Sequence, residues 1–245
     1  MRVHITGATG YLGSELVRQR PDASTERADV RDAAAVRVLL ERIRPDVVIH
    51  TAYRQDGPDA LEINVVGSET VARAVAAAGA RLVHLSTDVV FDGRKGSPYV
   101  ESDPPRPVTA YGCTKAEAEE RVAAAHAGAL LVRTSLLYGG ADPSKHERAA
   151  NDPEMTFYTD EIRSPVHVGD LASALLELAE LDVAGPLHVA GADAVSRAEL
   201  ARLIAGRPVA TGKAPPGRPL DCTLDSSRAQ ALLRTRLRGV REVLS

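Results

Sequence analysis

Residues 5–16, ITGATGYLGSEL, carry Gly7, Gly10 and Gly13 at intervals of three, directly after an apolar run and ahead of a helical pattern. Glycine accepts the positive φ of a tight turn and lets backbone N–H groups approach a phosphate. A helix opening at that turn adds the partial positive charge of its N-terminus. Glycine triplets also merely join strands to helices, so context decides between the two readings. A strand before it and a helix after it make this the setting of a dinucleotide pyrophosphate site.

Other apolar runs extend that setting along the chain. RVHIT (2–6), DVVIHT (46–51), RLVHLS (81–86) and ALLVRTS (129–135) are too short for helices and rich in Val, Ile and Leu, as doubly buried parallel strands are. Between them Val36, Leu39, Leu40 and Ile43 recur at helical spacing, and residues 59–78 and 114–126 are long and alanine-rich. The alternation predicts an α/β fold with a Rossmann-like doubly wound parallel sheet. After residue 138 the pattern loosens: GGADPSKHERAANDPE (139–154) is polar, MTFYT (155–159) and GPLHVAG (185–191) read as strands, and DLASALLELAEL (170–181) and SRAELARLIAG (196–206) as helices. The expected division is a dinucleotide-binding domain over 1–138, with 166–190 returning to it, and a small, partly discontinuous C-terminal substrate lobe from 139–165 and 191–245.

A length of 245 residues, 44% of them hydrophobic, suits one large core or a core plus a small lobe. Only 3% are aromatic and the formal charge is -3, which argues against a nucleic-acid surface and leaves anionic ligands to local arginines and helix ends. No apolar run reaches the ~18 residues of a membrane span, and MRVHITGATG is a strand entering a turn, so a cytoplasmic location is expected. Cys113 and Cys222 lack metal-ligand spacing and read as free thiols. His4, His50, His84, His167 and His188 lie in apolar company, and no pair has helical zinc spacing, so no metal is assigned.

The next check is the tip of the second strand, where an acid would hold a ribose diol. Asp29 follows Gly13 by only sixteen positions, and RPDASTERADV (20–30) has little apolar character, so that strand must be stunted. Ser24, Thr25, Glu26 and Arg27 occupy the tip; Ser, Thr and Arg suit a 2′-phosphate and Glu26 does not, which favours NADP(H) over NAD(H). Asp29 and Val30 fall where an adenine edge would be read, unless Asp29 is a plain surface acid.

VHLSTDVVFDG (83–93) turns abruptly polar at Ser86, Thr87 and Asp88, either to cap a turn or to deliver a hydroxyl to a site. In AYGCTKAEAEE (110–120), Tyr111 and Lys115 share one helix face at i and i+4. A ketone reductase needs an acid for the alkoxide, and a nearby cation favours the ionised phenol. At ~4 Å and an effective dielectric of ~20 that attraction is about 4 kcal/mol, worth a few pK units before desolvation.

Taken in order, the glycine turn, STDVVFDG (86–93), PVTAYGCTKAEAE (107–119) and LVRTSLLYG (131–139), with RIRPDVVIHTAY (42–53) and RPLDCTLDSS (218–227), resemble the extended branch of the short-chain dehydrogenase/reductase superfamily around dTDP-4-dehydrorhamnose reductase. The resemblance implies catalytic roles for Thr87 on the substrate carbonyl, Tyr111 as acid and Lys115 as ribose-binding cation. It implies cofactor contacts from Gly7, Thr9, Gly10, Tyr11, Leu12, Gly13, Arg27, Asp29, Val30, Thr51, Ala52, Tyr53 and Ser86, besides Tyr111 and Lys115. Substrate contacts would come from Thr87, Asp88, Val89, Leu136, Arg163 and Arg218, with the last two meeting a nucleotide diphosphate unless they are surface arginines paired with Asp160, Glu161 or Asp221. Leu136 stands where that reductase carries Trp. The implied function is reduction of a 4-keto group on a nucleotide-activated deoxysugar by a cytoplasmic enzyme, with a homodimer through helices 59–78 and 114–126. A different small ketone or lactol, or a non-catalytic NADP-binding regulatory subunit, are the alternatives.

Overall fold

A computed structural model describes residues 1–245. The chain opens with β1 (Val3–Thr6), α1 (Tyr11–Gln19), α2 (Ala33–Ile43) and β2 (Val47–His50). A helix follows whose first part, Glu62–Gly67, is π-wound and continues as α3 (Ser68–Ala77). Next come β3 (Arg81–Thr87), a 3-10 turn at Asp88–Val90, α4 (Ala110–Ala125) and β4 (Leu130–Thr134). The second half contains β5 (Leu137–Tyr138), α5 (Lys145–Ala150), β6 (Thr156–Tyr158), β7 (Ile162–Arg163), β8 (Val166–His167) and α6 (Val168–Leu178). It closes with β9 (Gly185–His188), β10 (Val195–Ser196), α7 (Arg197–Ala205), β11 (Ala210–Gly212), α8 (Ser227–Leu232) and α9 (Val240–Val243).

Five strands form one parallel sheet in the order β1-β2-β3-β4-β9. The stunted second strand survives as a single parallel bridge, Ser24 beside His4, on the outer side of β1. The chain therefore steps to one side of β1 and returns on the other, which makes the end of β1 the switch point where open α/β sheets bind ligands. Alternate strand residues serve opposite faces. Val3, Ile5, Val47, Ile49, Val83, Leu85, Leu130 and Val132 meet α1 and α6, while Val48, Leu82 and Leu131 meet α2, α3 and α4. Burial on both faces explains why these strands read as continuous apolar runs.

The second half joins this body in pieces. β9 completes the sheet and α6 packs on its α1 face. Three two-stranded ribbons, β5 with β8, β7 with β10 and β6 with β11, build the rest. Tyr138, Val195, Leu200 and Val240 form one small core there, and Ala150, Phe157, Ala198 and Ala201 another. Ala229, Leu233 and Leu237, from the stretch expected in the lobe, pack instead into the main core, because the chain passes back under the sheet after β11. No helix is long and apolar enough to cross a membrane.

Candidate active site

Gly7 has φ +69°, and a Cβ there would lie 2.7 Å from both Ala52 N and Thr51 Oγ1; one at Gly13 would lie 2.1 Å from Gly7 O. Both glycines are needed for the turn to close. Gly10 differs, since a Cβ would meet only Gly7 O, at 3.2 Å, and would otherwise project into open space. It precedes α1 with no side-chain cap, so the first amides of the helix lack protein acceptors. Those residues, with Thr9, line a cavity of about 750 Å³. A second cavity, about 640 Å³, lies behind the turn and is bordered by Gly7, Thr9, Arg27, Asp29, Val30 and Ala52. A bare helix N-terminus between two cavities fits a dinucleotide, with the pyrophosphate on the turn and a nucleoside on either side.

At the second cavity Glu26 is ion-paired with Arg42. Asp29 is gripped by Arg31, Nε to Oδ1 2.9 Å and Nη2 to Oδ2 2.6 Å, which holds its carboxyl down at about 2. Arg27 lines this cavity and its side chain has no partner.

Thr87, Tyr111 and Lys115 all face the larger cavity, as do Thr51, Tyr53 and Ser86. β3 runs one residue beyond the expected 86, so Thr87 is its last residue and pairs with Thr134. Its hydroxyl oxygen accepts weakly from Val89 N at 3.4 Å, capping the 3-10 turn, and donates to Asp88 Oδ1 at 3.2 Å. Capping and site-facing readings therefore hold together. Thr109 caps α4, and Gly112 lets that helix reach the turn: a Cβ there would sit 2.3 Å from Val89 O. Lys115 is buried and donates to Leu85 O at 2.5 Å.

Electrostatics here differ from the expectation. Burial, then Tyr53 and Asp88, push the Tyr111 phenol well above its ordinary range. Burial lowers Lys115 itself to about 8, with Glu119 opposing. The phenol thus stays protonated, the form an acid for the alkoxide requires.

Asp88, Val89, Leu136, Arg163 and Arg218 also line the larger cavity. Asp88 accepts from Ser135 at 2.6 Å and lies 3.7 Å from Arg163 Nε. Arg163 donates its remaining nitrogens to the carbonyls of Ile162, Pro219 and Leu220. Its fork, expected on a phosphate, is spent on protein. Arg218 pairs with Glu161 and lies 5.2 Å from the Tyr158 ring centroid, as the paired-arginine alternative required.

Residues 1–244 match the family model described as the RmlD substrate binding domain. The chain belongs to that family. Among curated relatives, dTDP-4-dehydrorhamnose reductase of Mycolicibacterium smegmatis is 37% identical over 222 residues, covering 82% of this chain and 67% of its own length. Methionine adenosyltransferase 2 subunit beta of Rattus norvegicus is 32% identical over 276 residues, covering 91% and 80%. The crystal structure of dTDP-4-dehydrorhamnose reductase from Bacillus anthracis in complex with NADP superposes with a TM-score of 0.87 at 27% identity, covering 99% of this chain and 96% of that one.

In this member of the RmlD substrate binding domain family, several site residues carry no sequence signal. Asn64 sits in the π-wound turn, where its amide donates to Arg54 O at 2.7 Å and Thr114 Oγ1 at 3.0 Å, tying the loop after β2 to α4. Helical periodicity conceals that irregularity. Glu119, one turn beyond Lys115, reads as part of a solvated acidic run but is buried. Lys145 and His146 line the larger cavity from the polar stretch 139–154, and Arg197 from the start of the helix read over 196–206, none of them marked by a motif.

Proposed function

We propose that this chain is an NADP(H)-dependent reductase of the 4-keto group on a nucleotide-activated deoxysugar, a reading that takes its substrate class from the relatives named dTDP-4-dehydrorhamnose reductase. The observation that carries it is the convergence of Thr87, Tyr111 and Lys115 on a cavity that begins at the bare N-terminus of α1. The bound nicotinamide supplies hydride. Tyr111 gives its proton to the carbonyl oxygen as it becomes an alcohol and recovers one from solvent. Thr87 turns its hydroxyl from Asp88 to the carbonyl, and Lys115 holds the ribose beside the phenol. Gly7, Thr9, Gly10, Tyr11, Leu12 and Gly13 seat the pyrophosphate region, with Thr51, Tyr53 and Ser86 toward the nicotinamide and Ala52, Asp29 and Val30 around the adenine. Arg27 is the residue for a 2′-phosphate. Val89 and Leu136 form the apolar side of the sugar site.

Residues 1–138 with 166–190 form the dinucleotide-binding part of this reading, and 139–165 with most of 191–245 the substrate part. A cytoplasmic location belongs to it, as does a homodimer through α3 and α4, which sedimentation tests. NADPH oxidation with a dTDP-linked 4-keto-6-deoxysugar is the deciding assay for the reductase. A second reading, a regulatory subunit without turnover, is favoured by the likeness to methionine adenosyltransferase 2 subunit beta. Failure of the wild type to oxidise NADPH with any nucleotide-linked keto sugar or small ketone would select it.

A further inference from the structure

Charge on the wall of the larger cavity is uneven. Seven lysine and arginine side chains line it against four carboxylates, Glu15, Asp88, Asp142 and Glu161, in a chain whose formal charge is -3. Most of those cations are matched within the protein: Arg18 by Glu15, Arg163 by Asp88 and backbone carbonyls, and Arg218 by Glu161. Lys115, Lys145 and Arg148 donate to Leu85 O, the Gln55 side chain and Pro143 O. Arg197 is the exception, lining the cavity with neither an acceptor nor a carboxylate on its guanidinium.

Its position follows from local sequence. Ser196 caps α7 by accepting from Glu199 N at 3.0 Å, and Arg197 is the first residue of the helix. Ala198 and Ala201 pack with Ala150 of α5 and with Phe157. Small side chains at that contact let α5 and α7 pack together, and Arg197 is felt by His146 of α5. Burial, then Arg197 and Lys145, hold the His146 imidazole down at about 3, which leaves it a neutral hydrogen-bonding group with no protein partner. Burial lowers the Arg197 guanidinium, with Glu161 opposing it and Arg163 and Arg218 adding to it. A guanidinium partly withdrawn from water and without a hydrogen-bonded or ion-paired partner gains more from an arriving anion than a matched arginine does.

We propose that Arg197, with His146 beside it, anchors the diphosphate of a nucleoside diphosphate sugar, and that it, rather than Arg163 or Arg218, sets affinity for that group. This rests on the reductase reading for its ligand class. Calorimetry on the full chain saturated with NADP⁺ and titrated with dTDP tests it. Arg197→Ala should weaken dTDP tenfold or more and Arg197→Lys by less, with NADP⁺ affinity within twofold of the wild type in both. Unchanged dTDP affinity in Arg197→Ala, or no binding of dTDP by the wild type, overturns the proposal. NADPH oxidation with a dTDP-linked 4-keto sugar judges the enzyme separately. Turnover with unchanged dTDP affinity in Arg197→Ala removes the anchor and keeps the reductase; weakened dTDP binding with no turnover in the wild type does the reverse.

Discussion

Arg133 at the end of β4 and Glu119 on α4 form an ion pair inside the protein, Nη2 to Oε2 2.8 Å, with their side chains 3% and 5% exposed. Arg133 Nε meets both carboxylate oxygens at 3.1 Å, Glu119 also accepts from Ser86, and the guanidinium lies 5.1 Å from the Phe91 ring centroid. Removing one partner strands a buried charge, so Glu119→Gln should lower unfolding free energy by about 3–5 kcal/mol in a denaturant titration. The double variant Glu119→Leu/Arg133→Met should recover much of that loss. A single variant within 1 kcal/mol of wild type would show the pair to be dispensable.

Tyr111→Phe should cut turnover about 100-fold or more while leaving the NADPH dissociation constant nearly unchanged, because it removes the proton and little else. Near-normal turnover by the phenylalanine variant would mean that another group donates.

Lys115, held at about 8, is charged below that pH and neutral above it. If its charge supports ribose binding, kcat/KM for reduction should fall as pH rises through about 8. The phenol, pushed up, stays protonated across that window and adds no limb of its own. Lys115→Met should lower kcat/KM and remove this limb; an unchanged profile in the variant assigns the limb elsewhere.

Arg27→Ala should weaken NADPH about tenfold or more and NADH hardly at all, since a charge-assisted contact to a phosphate is worth about 1.5–3 kcal/mol. The pairing of Glu26 with Arg42 is what leaves Arg27 to act alone at that rim. Equal losses for both cofactors, measured by fluorescence titration, would remove it from cofactor selection.

Two glycines of one turn should behave differently. Gly13→Ala places a Cβ 2.1 Å from a carbonyl oxygen and should lower Tm and abolish cofactor binding, whereas Gly10→Ala meets only one atom, at 3.2 Å. The Gly10 variant should fold with nearly wild-type Tm and lose affinity, as its methyl group enters the cavity. A large drop in Tm for Gly10→Ala would make that glycine structural.

What the sequence made legible follows from how each feature is encoded. Strands buried on both faces must be apolar throughout, so β1 to β4 stand out by composition, and the glycine turn by spacing. The short strand at Ser24 was inferred from a lack of apolar residues, and the structure reduces it to one bridge. Arg218 pairs with Glu161, one of the three acids the sequence offered, whereas Arg163 pairs with Asp88, distant in the chain, and pairing across such a distance leaves no local pattern. The desolvation of the phenol is illegible for a related reason: a lysine four residues away is evident, whereas burial and the approach of Tyr53, 5.9 Å between ring centroids, exist only after folding.

The bridge at Ser24 also bears on how the molecule behaves in a crowd. Ser24 N donates to Val3 O and Ile5 N donates to Ser24 O, both at 2.9 Å, so a fragment of strand occupies the backbone groups that β1 would otherwise offer at the margin of the sheet. At the opposite margin β9 is four residues long and contains Pro186, which has no N–H to give. Neither border presents a long ladder of free donors and acceptors to a strand from another molecule, and the sheet is thereby guarded against edge-to-edge aggregation.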